Sequence, residues 1–118
     1  MKVSLMVGLF FAMVAIAPSH AAAFDPKSLV GQWSGEWTEM RGNEIHGKYF
    51  LTIERVQGNK VFGKGQVVGK RTVDFTVRGT FDGNRLSYGD TALTVDGTKM
   101  DGERGGDFPA HISLVKQR

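Results

Sequence analysis

The sequence predicts an all-β protein, an eight-stranded antiparallel up-and-down meander barrel, with a flattened two-sheet β-sandwich as the alternative. Three observations lead to this fold class. Apolar and polar residues alternate along most of the chain after residue 23, which is the period of a half-buried strand. Glycine accounts for 16 of the 118 residues, about twice the usual share of roughly 7%. Beyond one turn near residues 25–28, no segment after residue 23 has helical periodicity of useful length.

Residues 1–23 are predicted to be a cleaved secretory signal peptide. Lys2 precedes an apolar run at 3–17, and Pro18 and the small residues at 21–23 follow it, as in a signal sequence and its cleavage site. Cleavage after Ala23 is favoured, and cleavage after Ala21 also fits. The apolar run of about 15 residues is shorter than the ~20 that span a membrane. We therefore expect residues 24–118 to be a single small barrel domain without a membrane span, exported to the periplasm or secreted.

Composition excludes several classes of function. The absence of cysteine excludes disulfide frameworks, cysteine-ligated zinc and thiol nucleophiles. The net charge is only +3 and the charges are interleaved, so no nucleic-acid partner is expected. Hydrophobic residues at 41% and charged residues at 23% are typical of a globular domain and not of a disordered chain.

Eight alternating segments are the predicted strands, and the clearest is 72–81. There Val73, Phe75, Val77 and Phe81 alternate with polar residues, so one face is apolar. The strands in order are 32–40, 48–56, 61–68, 72–81, 85–88, 91–95, 98–102 and 110–116. The predicted inward residues are Trp33, Trp37, Tyr49, Leu51, Ile53, Val61, Val67, Val73, Phe75, Val77, Leu86, Tyr88, Leu93, Val95, Met100, Ile112 and Leu114.

Short turns between these segments give a testable register. Two-residue turns are predicted at 82–83, 89–90 and 96–97, where glycine stands beside aspartate, a favoured hairpin composition. Three-residue loops are predicted at 69–71 and around 58–60. The resulting inward pairs are Phe81 with Asn84, Gly79 with Leu86, Leu86 with Leu93, Leu93 with Met100, Val67 with Val73, Gly65 with Phe75, Leu51 with Val67 and Ile53 with Gly65. On the outer face, Phe62 pairs with Arg78, and Phe50 pairs with Val68.

A short motif opens the first strand. Gly31-Gln32-Trp33 is a Gly-x-Trp, and with the eight-strand meander it resembles the lipocalin and avidin group of calycin-type barrels. The resemblance is closest to small exported bacterial β-barrels of unassigned function. It implies that Gly31 and Trp33 close one end of the barrel. It also implies that Trp33 packs near a basic residue of a late strand, for which Arg104, Lys116 and Arg118 are the choices.

The resemblance has departures. Lipocalins are usually much longer and often have disulfides, and avidins surround biotin with further tryptophans from later strands. This chain has only two tryptophans, Trp33 and Trp37, so biotin is not an expected ligand.

The loops of the meander alternate between two ends of the barrel. Tight loops at 57–60, 82–84 and 96–97 fall at the Gly-x-Trp end, and loops 40–47, 69–71, 89–90 and 103–109 form a loop-rich mouth. Ligands favour such a mouth. The candidate ligand-binding residues of the mouth and interior are Trp37, Arg41, His46, Tyr49, Lys70, Arg71, Tyr88, Arg104 and Phe108. The mouth is also expected to show Met40, Asn43, Glu44, Asp90, Glu103 and Asp107.

Each candidate has a structural alternative. Trp33 and Trp37 share one strand face and either stack on a ligand or fill the core. Lys70 and Arg71 either attract an anionic group or simply keep a turn soluble. His46 and His111, which would need Glu44 or Asp107 to complete a metal site, lack ligand spacing, so no metal is expected.

The preferred hypothesis is an exported binding protein for a small, partly apolar ligand at the mouth, without a cofactor. The alternative is a protein-interaction module, such as a protease inhibitor or cell-envelope adaptor, acting through loops 40–47 and 103–109. An outward apolar patch of Phe50, Phe62 and Val68 would assist it. An enzyme is not expected and no residue is assigned as catalytic. The acids Glu36, Glu39 and Glu44 form no convergent pair, and Ser34, Ser87 and Ser113 lack a nucleophile context.

Overall fold

The computed structural model describes residues 25–41 and 45–118. The predicted signal peptide, and Asn43 and Glu44 of the predicted mouth, lie outside the described residues. The described chain begins with a single 3-10 turn, Pro26–Leu29. The Asp25 carboxylate caps this turn by accepting the Lys27 backbone N–H at 3.0 Å, a common way to start such a turn.

Eight strands follow and close into one barrel in sequential order, with every neighbouring pair antiparallel. The predicted meander barrel is therefore confirmed over the sandwich. The strands are β1 (Gly31–Glu39), β2 (His46–Gln57), β3 (Lys60–Val68), β4 (Thr72–Phe81), β5 (Arg85–Tyr88), β6 (Thr91–Asp96), β7 (Lys99–Arg104) and β8 (Ala110–Lys116).

The predicted register is confirmed between β3 and β4 and between β5 and β6. The first hairpin pairs Val67 with Val73 and Phe62 with Arg78, and the second pairs Leu86 with Leu93. The loops at 69–71 and 89–90 therefore have the lengths that the sequence predicts.

The predicted register of the β4–β5 hairpin is wrong by two residues. Phe81 pairs with Leu86 instead of Asn84. The Asp82 carboxylate accepts the backbone N–H groups of Arg85 at 2.7 Å and Asn84 at 3.0 Å, which holds the pKa of Asp82 below its usual value. This side-chain capping makes a three-residue loop, 82–84, from the Asp-Gly segment that predicted a two-residue turn.

The β6–β7 hairpin is likewise shifted by two residues. Val95 pairs with Met100, and Leu93 faces Gly102, because the two turn residues are Gly97 and Thr98 instead of 96–97.

The β2–β3 hairpin is shifted as well. Leu51 faces Gly65 and Ile53 faces Gly63, and the register changes between Ile53 and Arg55, where a β-bulge inserts one extra residue. Because of this extra residue, inward side chains face inward side chains both next to the two-residue turn at 58–59 and in the rest of the strand pair.

The inner face of the barrel is the core. Its fully or nearly fully buried apolar residues are Leu29, Trp33, Trp37, Tyr49, Leu51, Ile53, Val61, Val77, Phe81, Leu86, Tyr88, Leu93, Val95, Met100, Ala110, Ile112 and Leu114. Val67 and Phe75 are partly buried against it. The sequence also predicts Val73 in the core, but Val73 lies at the rim of the barrel and is 52% exposed.

Six glycines lie on this inner face, at positions 35, 47, 63, 65, 79 and 102. At five of them a Cβ atom would overlap a backbone carbonyl oxygen of a neighbouring strand. Gly65 is different, because a Cβ there would overlap the ring of Phe75. At these five inward positions, neighbouring strands thus lie so close together that only glycine fits.

Candidate functional site

A pocket of about 720 Å³ lies at the loop-rich end of the barrel, and we call it the mouth pocket. It exists because β4 and β5 differ in length. The two strands pair only through Thr80 with Ser87 and Phe81 with Leu86, and we call this short contact the β4–β5 seam. Within the described chain, residues 72–78 of β4 have no strand partner on that side. The lining residues are Tyr49, Val67, Val73, Phe75, Thr76, Arg78, Tyr88, Gly89, Asp90, Thr91 and Arg104.

Two tyrosines form the deep end of the mouth pocket. The hydroxyl oxygens of Tyr49 and Tyr88 lie 2.7 Å apart, and the side chains are only 3% and 8% exposed. Thr91, a buried polar residue, lies beside them. Burial raises the pKa of both phenols, and for Tyr49 the rise is opposed by Tyr88, Arg104 and Thr91. Both tyrosines are therefore neutral hydrogen-bonding groups at physiological pH.

One wall of the pocket includes apolar side chains of β3 and β4. The ring of Phe75 stacks on Tyr88 with centroids 6.2 Å apart and planes 15° apart, and it is tilted against Tyr49 at 5.8 Å. Val67 and Val73 continue this wall toward the rim. An apolar or aromatic body would have contact surface here.

Arg104 brings a positive charge to the inner face. On β7, Met100, Gly102 and Arg104 alternate inward, and Arg104 pairs with Thr91 and Ala110, both of which are buried. Its guanidinium carbon lies 5.9 Å from the ring centroid of Trp37. Its Nε and Nη2 donate to the Phe108 carbonyl oxygen at 3.2 and 3.0 Å.

Arg104 has no carboxylate partner among the described residues. The ion pairs found there are Lys48 with Glu36 and His111 with Asp101. A guanidinium has five N–H donors, so Arg104 retains donors for a ligand after binding the Phe108 carbonyl.

The loop at 105–109 is fastened over the mouth by hydrogen bonds to its backbone carbonyls. Arg41 Nη2 donates to the Asp107 oxygen, and the Met40 N–H donates to the Pro109 oxygen at 3.0 Å. The side chain of Phe108 points away and is 69% exposed. Arg41 and Phe108 thus lie at the mouth, as predicted, but neither lines the pocket.

The structure brings together three of the nine predicted ligand-binding residues, namely Tyr49, Tyr88 and Arg104, in one pocket. Trp37 lies beneath Arg104 and donates from Nε1 to the Val68 carbonyl oxygen at 3.3 Å. Lys70, Arg71 and His46 are exposed and line no part of the mouth pocket.

Sequence reasoning misses the lining residues Thr76, Arg78 and Thr91. Thr91 alternates with the inward residues Leu93 and Val95, which is a signal for its inward position. Arg78 lies on the outer face of β4 opposite Phe62, and it reaches the pocket only because β5 does not cover that edge.

The other predicted site groups are dispersed. His46 and His111 pair with Thr38 from opposite sides of β1, so about two strand spacings, roughly 10 Å, separate them. No group of three or more potential metal ligands occurs in the described part of the chain. Glu36 instead faces outward, with its Oε2 3.3 Å from Lys48 Nζ.

The predicted outward apolar patch is not formed. Phe50 pairs with Gln66 instead of Val68, and the guanidinium carbon of Arg55 covers the ring of Phe62 at 4.2 Å. The two-residue register shift therefore separates the three side chains.

At the opposite end of the barrel, Trp33 is almost wholly buried, and its Nε1 donates to the Leu29 carbonyl oxygen at 2.9 Å. Lys116 provides the neighbouring positive charge, with Nζ 5.8 Å from the ring centroid of Trp33. Lys116 also donates to the Ser28 carbonyl oxygen. Of the three basic residues that the resemblance left open, Lys116 is thus the one beside Trp33.

The fold and the mouth pocket together define a small antiparallel β-barrel consistent with a calycin-like fold. Comparison of the chain with protein-family models gives no match, and comparison with curated proteins gives none either. Among the described residues, no helix is both long and apolar enough to cross a membrane.

Proposed function

We propose that this protein is an exported, lipocalin-like barrel that binds a small, partly apolar ligand in the mouth pocket. The observation that carries the proposal is the pocket itself, about 720 Å³ in volume. Pockets for small ligands typically measure 300–1,000 Å³ and combine apolar walls with a few placed polar groups. The signal-like sequence of residues 1–23 supports export.

The chemistry of the pocket favours binding over catalysis. Its phenols are held neutral by burial, so they are hydrogen-bond donors and acceptors, and neither is an ionised base or nucleophile near pH 7. The aromatic wall of Phe75 and Tyr88 provides contact area. These features suit a carrier or sensor.

The first experiment is native mass spectrometry of the protein purified from its own host under gentle conditions. A ligand retained at one copy per chain is the expected result. Fluorescence titration with an extract of host small molecules then measures affinity for the wild type and for Val67→Phe, which fills the pocket wall.

Val68→Phe is the matched control, because the adjacent valine faces outward and does not line the mouth pocket. We expect Val67→Phe to weaken binding at least tenfold and Val68→Phe to leave it unchanged. Equal affinity in all three proteins, or no bound molecule from any source, contradicts the proposal.

A second candidate function is protein interaction through the mouth loops, and one observation favours it. Met40, Ile45 and Phe108 are large apolar side chains, all exposed at this end of the barrel, and exposed apolar groups that cluster often mark a partner surface. If the loops bind a protein, Phe108→Ser should abolish capture of that protein, whereas Phe50→Ser on the barrel side should not. Capture that survives Phe108→Ser together with Met40→Ser rules this candidate out.

A further inference from the structure

The most buried lining side chains of the mouth pocket are polar, and its apolar side chains from β3 and β4 are more exposed. The deepest lining side chains, Tyr49, Tyr88 and Thr91, have hydroxyl groups, and all three are less than a tenth exposed. Val73, by contrast, lies at the rim and is half exposed. A ligand that satisfies these groups has its polar end at the floor and its apolar body toward the solvent.

The charge near the floor is positive. Arg104 faces inward beside Thr91 and is close enough to Tyr49 to lower the cost of a negative charge there. Its guanidinium lies near an indole ring and donates to a carbonyl oxygen, and neither neutralises a guanidinium. An anionic group at the floor would therefore gain a charge-assisted hydrogen bond that a neutral alcohol would not gain.

The other charged residues of the pocket favour an anion with a single negative charge. Asp90 lies at the 89–90 turn, with its carboxylate against Gly106, and makes no ion pair with Arg104 among the described residues. Arg78 approaches from the outer face of β4. One inward guanidinium, two phenols and one threonine hydroxyl suit the two oxygens of a carboxylate, whereas a dianionic phosphate would carry excess charge beside Asp90.

We infer that the ligand is an amphiphilic carboxylate, whose head group enters first and binds Arg104 and the Tyr49–Tyr88 pair while its apolar body lies against Val67, Val73 and Phe75. This inference rests on the proposed function, because it specifies the ligand class of the same pocket. It assigns Arg104 as the residue that determines head-group specificity.

The test compares ligands with one chain length and different head groups. Decanoate, 1-decanol, decyl phosphate and decyltrimethylammonium are titrated at pH 7.5 by calorimetry, with intrinsic tryptophan fluorescence as a second readout, since Trp37 lies under Arg104. We expect wild-type protein to bind decanoate at least tenfold more tightly than 1-decanol. Decyl phosphate should be weaker than decanoate, and the cation weakest.

The key variant is Arg104→Gln, with Arg71→Gln as the matched control from the same end of the barrel, because Arg71 is exposed and lines no part of the mouth pocket. The measured quantity is the ratio of decanoate to decanol affinity within each protein. Loosening of the 105–109 loop or partial loss of folded protein weakens the binding of both ligands and does not change this ratio. We expect the ratio to fall to near one in Arg104→Gln and to stay within about threefold of wild type in Arg71→Gln.

The outcomes separate this inference from the proposed function. Equal binding of decanoate and decanol by wild type, or an unchanged ratio in Arg104→Gln, overturns the inference and leaves a neutral-ligand pocket. Tighter binding of decyl phosphate than of decanoate also overturns the carboxylate assignment. Binding of none of the four probes, together with no retained ligand in native mass spectrometry, overturns the proposed function as well.

Discussion

Two glycines of one strand should respond very differently to the same substitution. Gly63 and Gly65 both face inward on β3. A methyl group at Gly63 meets the carbonyl oxygen of Thr52 and the Cα of Ile53, which are backbone atoms of β2 that cannot rotate away. A methyl group at Gly65 meets the ring of Phe75, a partly buried side chain beside an open pocket.

The magnitudes follow from what has to move. For Gly63→Ala, separation of β2 from β3 is an overpacking change, and such changes cost about 1–3 kcal/mol or more. For Gly65→Ala, the ring of Phe75 swings into the mouth pocket. The loss of its packing is offset by about 0.5–1 kcal/mol, because alanine loses less backbone freedom than glycine on folding. The free energy of unfolding should therefore change by less than about 1 kcal/mol.

Thermal unfolding followed by circular dichroism measures both variants. For a domain of this size, 1 kcal/mol shifts the Tm by roughly 4–8 °C, so Gly63→Ala should lose about 4–24 °C and Gly65→Ala only a few degrees. Gly65→Ala should still lose ligand affinity, because Phe75 occupies the pocket. If Gly63→Ala is as stable as wild type, or if the two variants lose equal stability, the close approach of β2 and β3 is refuted.

Two further predictions concern the ends of the barrel. Tyr49 and Tyr88 are the only tyrosines of the chain, and burial raises the pKa of each, so an unfolded chain ionises near pH 10 and the folded one does not. The contribution of the two tyrosines to folding stability should be constant below about pH 10 and fall as the pH rises above it. Phenolate absorbance near 295 nm should then appear together with unfolding, and a phenolate signal at pH 10 in folded protein would contradict the buried pair. Lys116→Ala removes a contact with the Trp33 ring and a hydrogen bond, each worth about 0.5–1.5 kcal/mol; it should lower the Tm by several degrees. Lys99→Ala, an exposed site on the neighbouring strand, should not, and equal shifts in the two variants would remove the assigned role of Lys116.

The fold could be predicted from the sequence because the side-chain period of a strand is two. The hairpins at β2–β3, β4–β5 and β6–β7 were each misplaced by two residues, and an even error leaves every inward residue inward. The errors come from turn chemistry. The carboxylate of Asp82 binds two backbone N–H groups, and a β-bulge at Glu54 adds one unpaired residue to β2. Neither is visible in the alternation of apolar residues.

The site could be predicted only in part. Tyr49 and Tyr88 follow directly from the alternation, whereas the sequence predicts Arg104 in a loop, because the predicted strand ends at residue 102. In the structure β7 continues to Arg104, which places that side chain on the same inward face as Met100. The pocket itself depends on the unequal lengths of β4 and β5. How this difference in length opens the barrel wall depends on the three-dimensional arrangement of the strands and does not show in the sequence pattern.

The shortness of the β4–β5 seam has a consequence for how the barrel responds to its contents. With two paired positions, this is the joint of the wall with the fewest strand contacts, and local opening is easiest where contacts are few. The mouth pocket spans the same joint, with Phe75 and Thr76 on one side and Tyr88 and Thr91 on the other. A bound molecule that contacts both sides of the seam stabilises the closed barrel, because binding to the closed form alone raises the free energy of opening. Amide hydrogen exchange in β5 and along β4 would then be slower in the ligand-bound protein. The side wall that the barrel presents to a partner would be more rigid with ligand than without it.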